Sequence, residues 1–145
     1  MLQVELDSAL STVLDDMQRA VDSLSAVLAD EREALLSADV TALDAAGSRK
    51  QALMQLLEQL DAERLQLSRS APQTARELEP RWQALLQVLR GCREMNQHNG
   101  SVASQRLGSV RRALAVLTGQ DADGGVYGRS GALQTRPRLQ TLAEA

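Results

Sequence analysis

The spacing of apolar residues constrains the fold of this chain more than any other feature. Leucine, valine, methionine and alanine recur every three or four positions through three long stretches. The first stretch contains two neighbouring lines, one of Leu6, Leu10, Val13, Met17, Ala20, Leu24 and Val27, and one of Leu14, Val21, Leu28 and Leu35. This spacing is typical of helices that pack lengthwise on other helices. It predicts long surfaces and few pockets, which favours binding of a protein over chemistry on a small molecule.

The core must be aliphatic, because the 145 residues include one Trp, one Tyr and no Phe. Aliphatic layers suit helix bundles, and the length fits one domain. We therefore predict an all-α fold. It consists of a long antiparallel helical hairpin plus a third long helix, an elongated and coiled-coil-like bundle, followed by a flexible C-terminal tail.

Helix ends are marked by capping residues and prolines. The predicted long helices cover residues 3–36, 39–69 and 80–118. Asp39 is a good cap for the second helix, and the short break before it predicts an antiparallel hairpin. Pro72 cannot continue a helix interior, and Thr74 is a plausible cap for a short helical turn over 74–79. Pro80 suits the first turn of the third helix.

The composition changes after the third helix, so we expect residues 1–118 to form the bundle and 119–145 to form a separate tail. Residues 119–131 hold five of the nine glycines and read as a flexible connector. Beyond it, Pro137 can open a short helix that places Leu139 and Leu142 on one face. A helix this short is marginal alone and orders on binding a partner.

Charge is distributed unevenly, although the formal net charge is only −3. Residues 1–36 contain eight acidic side chains against Arg19 and Arg32, whereas residues 81–118 contain six arginines against Glu94. One interpretation is that an acidic helix lies beside a basic helix. The other is that part of the basic face meets an acidic partner. Exposed ion pairs of roughly 0–1 kcal/mol each would then guide docking rather than drive it.

Two cations fall on the apolar line of the second helix, namely Lys50 and Arg64. Their stems can cross the helix seam while their charges reach water. The alternative is that they pair with Glu31, which lies on the apolar line of the first helix. The sequence leaves both interpretations open.

The apolar line of the third helix is interrupted in its middle. Asn96 and Asn99 occupy two consecutive core positions, and Gly100 follows. The helix either kinks or ends there, or small residues allow a close approach of two backbones, or a buried polar layer fixes the register of the helices. Gly91 and Gly108 flank the region and weaken it further, since each glycine costs about 1 kcal/mol against alanine. We favour one continuous helix with a weak centre.

No residue pattern supports catalysis, a metal or a cofactor. A di-iron site in a bundle needs Glu-x-x-His on facing helices, but the one histidine, His98, has Glu94 four residues before it. Cys92 lies on an apolar line, where a buried structural thiol is expected. The sequence pI of about 5.2 and the scarcity of aromatic residues do not favour nucleic acid. Without a signal peptide or an apolar span, we predict a cytoplasmic non-enzyme that does not insert into membranes.

Tyr127, the one tyrosine, lies among the five glycines of the connector. It has no core role that we can identify, so it is either exposed by chance or a recognition anchor.

Several segments together resemble the FlgN family of flagellar export chaperones. The resemblance covers nearly the whole chain, in the family's order: residues 31–35, 39–43 and 50–54 of the first hairpin, then Trp82, Cys92, Asn96-x-x-Asn99-Gly100 and Val126-Tyr127-Gly128-x-x-Gly131. FlgN-type proteins are cytoplasmic helical chaperones. They bind the C-terminal helical ends of the two hook-associated (hook–filament junction) proteins, keep them unassembled and deliver them to the type III export gate.

The resemblance implies that Tyr127 contacts the export gate and that the end of the third helix and the tail carry the substrate. The residues themselves agree, because an amphipathic helix needs an apolar partner surface. The predicted substrate-binding residues are Val110, Leu114, Leu117, Leu133, Leu139 and Leu142. We expect a monomer or weak dimer. The alternative is a structural coiled-coil protein that self-associates through its stripes.

Overall fold

Four helices follow from the periodicity, and the computed structural model describes them within residues 2–119. They are α1 (Leu2–Ser37), α2 (Val40–Ser70), α3 (Pro72–Glu77) and α4 (Glu79–Thr118). The predicted all-α class is confirmed. The expectations for Tyr127, Leu133, Leu139 and Leu142 lie outside the described residues.

A tight turn joins α1 to α2 and produces the predicted antiparallel hairpin. Ala38 has a positive φ of 54°, and the backbone N–H of Asp39 donates to the carbonyl of Ala34 at 3.0 Å. The side chain of Asp39 caps α2 by accepting from the backbone N–H of Ala42 at 3.0 Å. The predicted cap is therefore confirmed.

The prediction that Thr74 caps the short helix is wrong. The helix begins two residues earlier, with Ala71 at the cap position and Pro72 in the first turn. Proline has no N–H to satisfy, so this helix can begin without a capping side chain. Thr74 instead lies inside α3, where its hydroxyl is hydrogen-bonded to the carboxylate of Asp7 in α1.

Helix α1 lies between α2 and α4 and packs against both. Three contacts along its length, Arg81 with Asp15, Asn99 with the Leu28 carbonyl and Arg106 with the Leu36 carbonyl, show that α4 runs parallel to α1. As the shared partner, α1 supplies most of the buried core: Leu10, Val13, Leu14, Met17, Ala20, Val21, Leu24, Val27, Leu28, Ala34 and Leu35. The acidic helix therefore does lie beside the basic one.

The last part of α4 extends beyond the hairpin. Arg106 lies beside the C-terminal end of α1, because its guanidinium donates to the carbonyl of Leu36 at 3.0 Å. At about 1.5 Å per residue, residues 107–118 project roughly 18 Å past that point. Gly119, with φ of 69°, then ends the helix in the left-handed conformation that glycine adopts most easily. Within residues 2–119, no helix combines the length and hydropathy needed to cross a membrane.

Candidate functional site

The projecting end of α4 carries an exposed apolar stripe. Val110, Leu114 and Leu117 are between 54% and 82% exposed. Their spacing of four and three residues places them on one face of the helix. Among the described helices, α4 alone reaches past the end of the hairpin. We call residues 107–118 the α4 end.

A fourth exposed apolar residue on the α4 end, Val116, lies off this stripe. It is 70% exposed, and at 100° per residue it lies roughly 100–160° from the three stripe residues around the helix axis. The α4 end therefore has one continuous apolar face and one isolated valine. The three predicted substrate-binding residues that the structure describes lie together on the continuous face. The three in the tail fall outside the described residues.

A buried polar layer joins the three long helices where the apolar line of α4 is interrupted. Lys50 of α2 lies 2.9 Å from Oε2 of Glu31 in α1, and its ammonium donates to Oδ1 of Asn96 in α4 at 2.8 Å. The amide of Asn99 donates to Oε1 of Glu31 at 3.0 Å and to the Leu28 carbonyl at 2.9 Å. The four side chains are 1–3% exposed. We call them the polar layer.

The polar layer decides two alternatives that the sequence left open. Lys50 pairs with Glu31 instead of extending its charge into water, and the two asparagines form a buried layer inside a continuous α4. The contact between the Lys50 ammonium and Oε2 of Glu31 is an ion pair. Over residues 2–119, Oε2 has no hydrogen-bond partner. Gly100 is half-buried beside this layer. The four side chains of the polar layer thus satisfy one another between the three long helices.

Arg64 follows neither of the two interpretations. Its guanidinium lies 3.6 Å from the ring centroid of Trp82 in α4, and its Nε donates to Asp61 at 2.9 Å. This cation–π contact links the C-terminal part of α2 to the start of α4. No spacing in the sequence indicates this contact, because the two residues belong to different helices whose alignment depends on α3.

The residues considered for chemistry have ordinary surroundings. Cys92 is buried, and its sulfur lies 3.2 Å from the hydroxyl of Ser25. His98 and Glu94 are exposed on α4. Over residues 2–119, no group of three or more His, Cys, Asp and Glu side chains is placed to hold a metal ion.

Comparison with known proteins gives consistent matches over most of the chain. A family model described as FlgN protein matches residues 1–135. The flagella synthesis protein FlgN of Yersinia enterocolitica (strain NCTC 13174 / 8081) is 31% identical over 129 residues, covering 84% of this chain and 87% of the relative. The protein of the same description from Escherichia coli K12 is 28% identical over 133 residues, covering 89% and 93%. No solved structure gave a significant match.

The fold and the α4 end define a class of protein first: an elongated helical protein whose candidate site is an apolar helix surface. The family match then specifies that class. The chain belongs to the FlgN family, and its relatives are flagella synthesis proteins. The resemblance stated from the sequence is thereby confirmed, and a role in flagellum synthesis follows.

Proposed function

We propose that this protein is a cytoplasmic chaperone of flagellar type III export. It binds the helical C-terminal ends of hook-associated proteins, prevents their premature assembly and delivers them to the export gate. Membership of the FlgN family supports the proposal. The single structural observation that carries it is the exposed apolar stripe of the α4 end. The proposed role requires no catalytic residue and no cofactor.

The α4 end has the properties that binding an amphipathic helix requires. Val110, Leu114 and Leu117 repeat at the spacing by which one helix packs along another. Burial of three such side chains contributes roughly 5–8 kcal/mol before the costs of association. Leu133, Leu139 and Leu142 of the tail would add a second apolar wall. Ordering the tail would subtract about 2–5 kcal/mol, which keeps the complex releasable.

The stripe can be tested by placing a charge on it. We expect Leu114→Glu to weaken binding of a hook-associated protein's C-terminal helix about 30-fold or more, because roughly 2 kcal/mol of apolar burial is lost. The matched control is Val116→Glu, which puts the same charge on the same helix end but off the stripe. Isothermal titration calorimetry measures both. Equal affinities for the two variants would show that the stripe is not the binding surface.

The tail can be tested separately. A chain ending after Gly119 should bind the same cargo helix more weakly, because it lacks the second apolar wall. If its affinity equals that of the full chain, the tail leucines have no part in cargo binding. Circular dichroism of both chains controls for folding.

The export-gate role of Tyr127 predicts a separation of binding from export. Tyr127→Ala should leave cargo affinity unchanged and lower the amount of hook-associated protein exported by cells. A parallel loss of cargo affinity and export would contradict the gate role. Co-purification from the native cell, with bound proteins identified, would show which junction proteins are carried.

Self-association is the competing interpretation. Light scattering of the purified protein distinguishes the two, since a chaperone is expected as a monomer or weak dimer without cargo. A stable oligomer without cargo, which the Leu114→Glu substitution converts to a monomer, would favour the self-associating structural protein.

A further inference from the structure

An open groove runs along the bundle between α2 and α4. Helix α1 packs against both and forms the floor, so the two outer helices are the walls. The groove has a volume of about 690 Å³, and its apolar lining includes Met17, Leu24, Met54, Leu57, Leu86 and Leu89. Four of these side chains, those of α2 and α4, are only partly buried. We call this space the α2–α4 groove.

Two contacts between the walls mark the ends of the groove. Lys50 meets Asn96 in the polar layer at one end, and Arg64 stacks on Trp82 at the other. The lining along α4 extends from Trp82 to Gln97, which corresponds to about 22 Å of helix. The groove therefore has the length and the apolar character of a seat for one short amphipathic helix in the fourth position of a bundle.

The chain itself contains a segment that fits this seat. Residues 133–143 contain Leu133, Leu139 and Leu142, and the last two are three residues apart, as on one face of a helix. The seven residues from Pro137 to Ala143 would give a helix of about 10 Å, shorter than the groove. The segment is thus long enough to place two leucines between the walls.

The connector is long enough to bring this segment back to the groove. Gly119 lies 22 residues of helix, or about 33 Å, above Gln97 at the near end of the groove. Trp82 at the far end lies about 55 Å below Gly119, and the chain from Gly119 to Leu139 spans up to about 66 Å when extended, so Leu139 can reach either end of the groove. The glycine content of the connector permits the reversal of direction that this path needs.

Charge contributes at one place on the rim. Arg136 and Arg138 lie within the tail segment, and Glu58 lies on the α2 wall. Asp61, by contrast, is already paired with Arg64, and the α4 wall carries Arg93. Opposite charges at the rim would orient the segment, while the leucines would supply most of the attraction.

We propose that the α2–α4 groove is the docking site of the chain's own residues 133–143. The occupant is held by burial of Leu139 and Leu142 against the apolar walls. Because the segment is tethered, its effective concentration at the groove is on the order of millimolar, so a weak intrinsic affinity is enough. The docking requires neither cargo nor an export gate, so its test is independent of the proposed function.

The single tryptophan makes the proposal testable on the full chain, since Trp82 lines the groove. The double substitution Leu139→Glu/Leu142→Glu should shift Trp82 emission to longer wavelength and increase its quenching by acrylamide. The control Thr141→Glu adds a charge to the same segment away from its apolar face and should leave both readings unchanged. Identical spectra for the double variant and the unmodified chain would overturn the proposal.

Concentration dependence separates the tail from a second copy of the chain. Intramolecular docking gives emission that does not change on dilution. If Trp82 shifts to longer wavelength on dilution while light scattering shows a dimer dissociating, the groove is covered by a second copy, and the proposal is wrong. A synthetic peptide of residues 130–145 should reverse the shift of the double variant, and failure to do so at millimolar concentration would also contradict the proposal.

Discussion

The ion pair of the polar layer allows a prediction that compares a buried ion pair with an exposed one on the same two helices. Lys50 and Glu31 are 1% and 3% exposed at their side chains and lie 2.9 Å apart. Arg49 and Asp30, the residues immediately before them on the same two helices, form an ion pair at 2.7 Å but are 55% and 61% exposed. The two pairs thus have the same sequence separation and the same helices, and they differ in contact with water.

Removal of one partner should have very different effects in the two pairs. Lys50→Met leaves the Glu31 carboxylate buried without its counter-charge, which costs about 3–5 kcal/mol of the free energy of unfolding. Arg49→Met removes an exposed contact and should cost about 0–1 kcal/mol. Because domains of this size are stable by about 5–15 kcal/mol, the first change removes a large part of the total.

The double variant Glu31→Gln/Lys50→Met tests whether charge is the cause. A glutamine at position 31 keeps an oxygen that can accept the hydrogen bond from Asn99, and no buried charge remains. We expect this variant to be closer to the unmodified chain than Lys50→Met alone, with a coupling of more than about 2 kcal/mol in the double-mutant cycle. The Asp30→Asn/Arg49→Met cycle should show almost no coupling.

Urea unfolding followed by far-UV circular dichroism measures all of these free energies. Added salt provides a second comparison, because ions screen the exposed pair much more than the buried one. The reasoning would be refuted if Lys50→Met cost no more than Arg49→Met. It would also be refuted if the double variant lost the sum of its two single effects.

Three further predictions concern a helix cap, a turn and a glycine inside a helix, and urea unfolding measures the change in stability for each. Asp39→Ala should destabilise the chain by about 1 kcal/mol, since it removes the cap that accepts from Ala42, and a loss near zero would contradict the capping role. Ala38→Gly should stabilise by about 0.5–1 kcal/mol, because φ is 54° there; destabilisation would contradict the strain argument. Gly91→Ala should stabilise by a similar amount, since nothing lies within 4 Å of the added methyl group, and a loss would mean that the helix centre needs its glycine.

Sequence periodicity predicted the buried faces of α1 well, for a physical reason. Its two neighbouring apolar lines, exemplified by Leu10 and Leu14, are both buried because helices pack on two sides of α1. A second apolar line on one helix is buried only if a second helix packs on it. The central position of α1 was not itself predicted, and it accounts for the burial of both lines.

Periodicity was less informative for α2, because it identifies a face without showing how much of that face is covered. Leu60 and Ala46 are buried, but Leu53 and Leu57 on the same line are only partly so. The difference arises because α4 packs on α1 and not squarely on α2, which leaves the α2–α4 groove open. The parallel course of α4 depends on α3, whose start at Pro72 was itself predicted two residues too late.

The offset between α1 and α4 explains why an apolar stripe remains exposed. Asn99 contacts Leu28 and Arg106 contacts Leu36, so each residue of α4 lies beside a residue of α1 about 70 positions earlier. Helix α1 ends at Ser37, while α4 continues to Thr118. The apolar spacing of α4 thus continues beyond the end of the hairpin. The α4 end is exposed because no residue of α1 lies beside it.

One tail cannot serve the α4 end and the α2–α4 groove at the same time. The groove begins about 33 Å below Gly119, so a segment seated beside Trp82 is far from Leu114. If both proposals hold and cargo recruits the tail leucines, adding a cargo helix to the full chain should empty the groove. Trp82 emission should then shift to longer wavelength in proportion to cargo bound. Cargo binding at full affinity without any shift would mean that cargo uses the α4 end alone and leaves the tail in the groove.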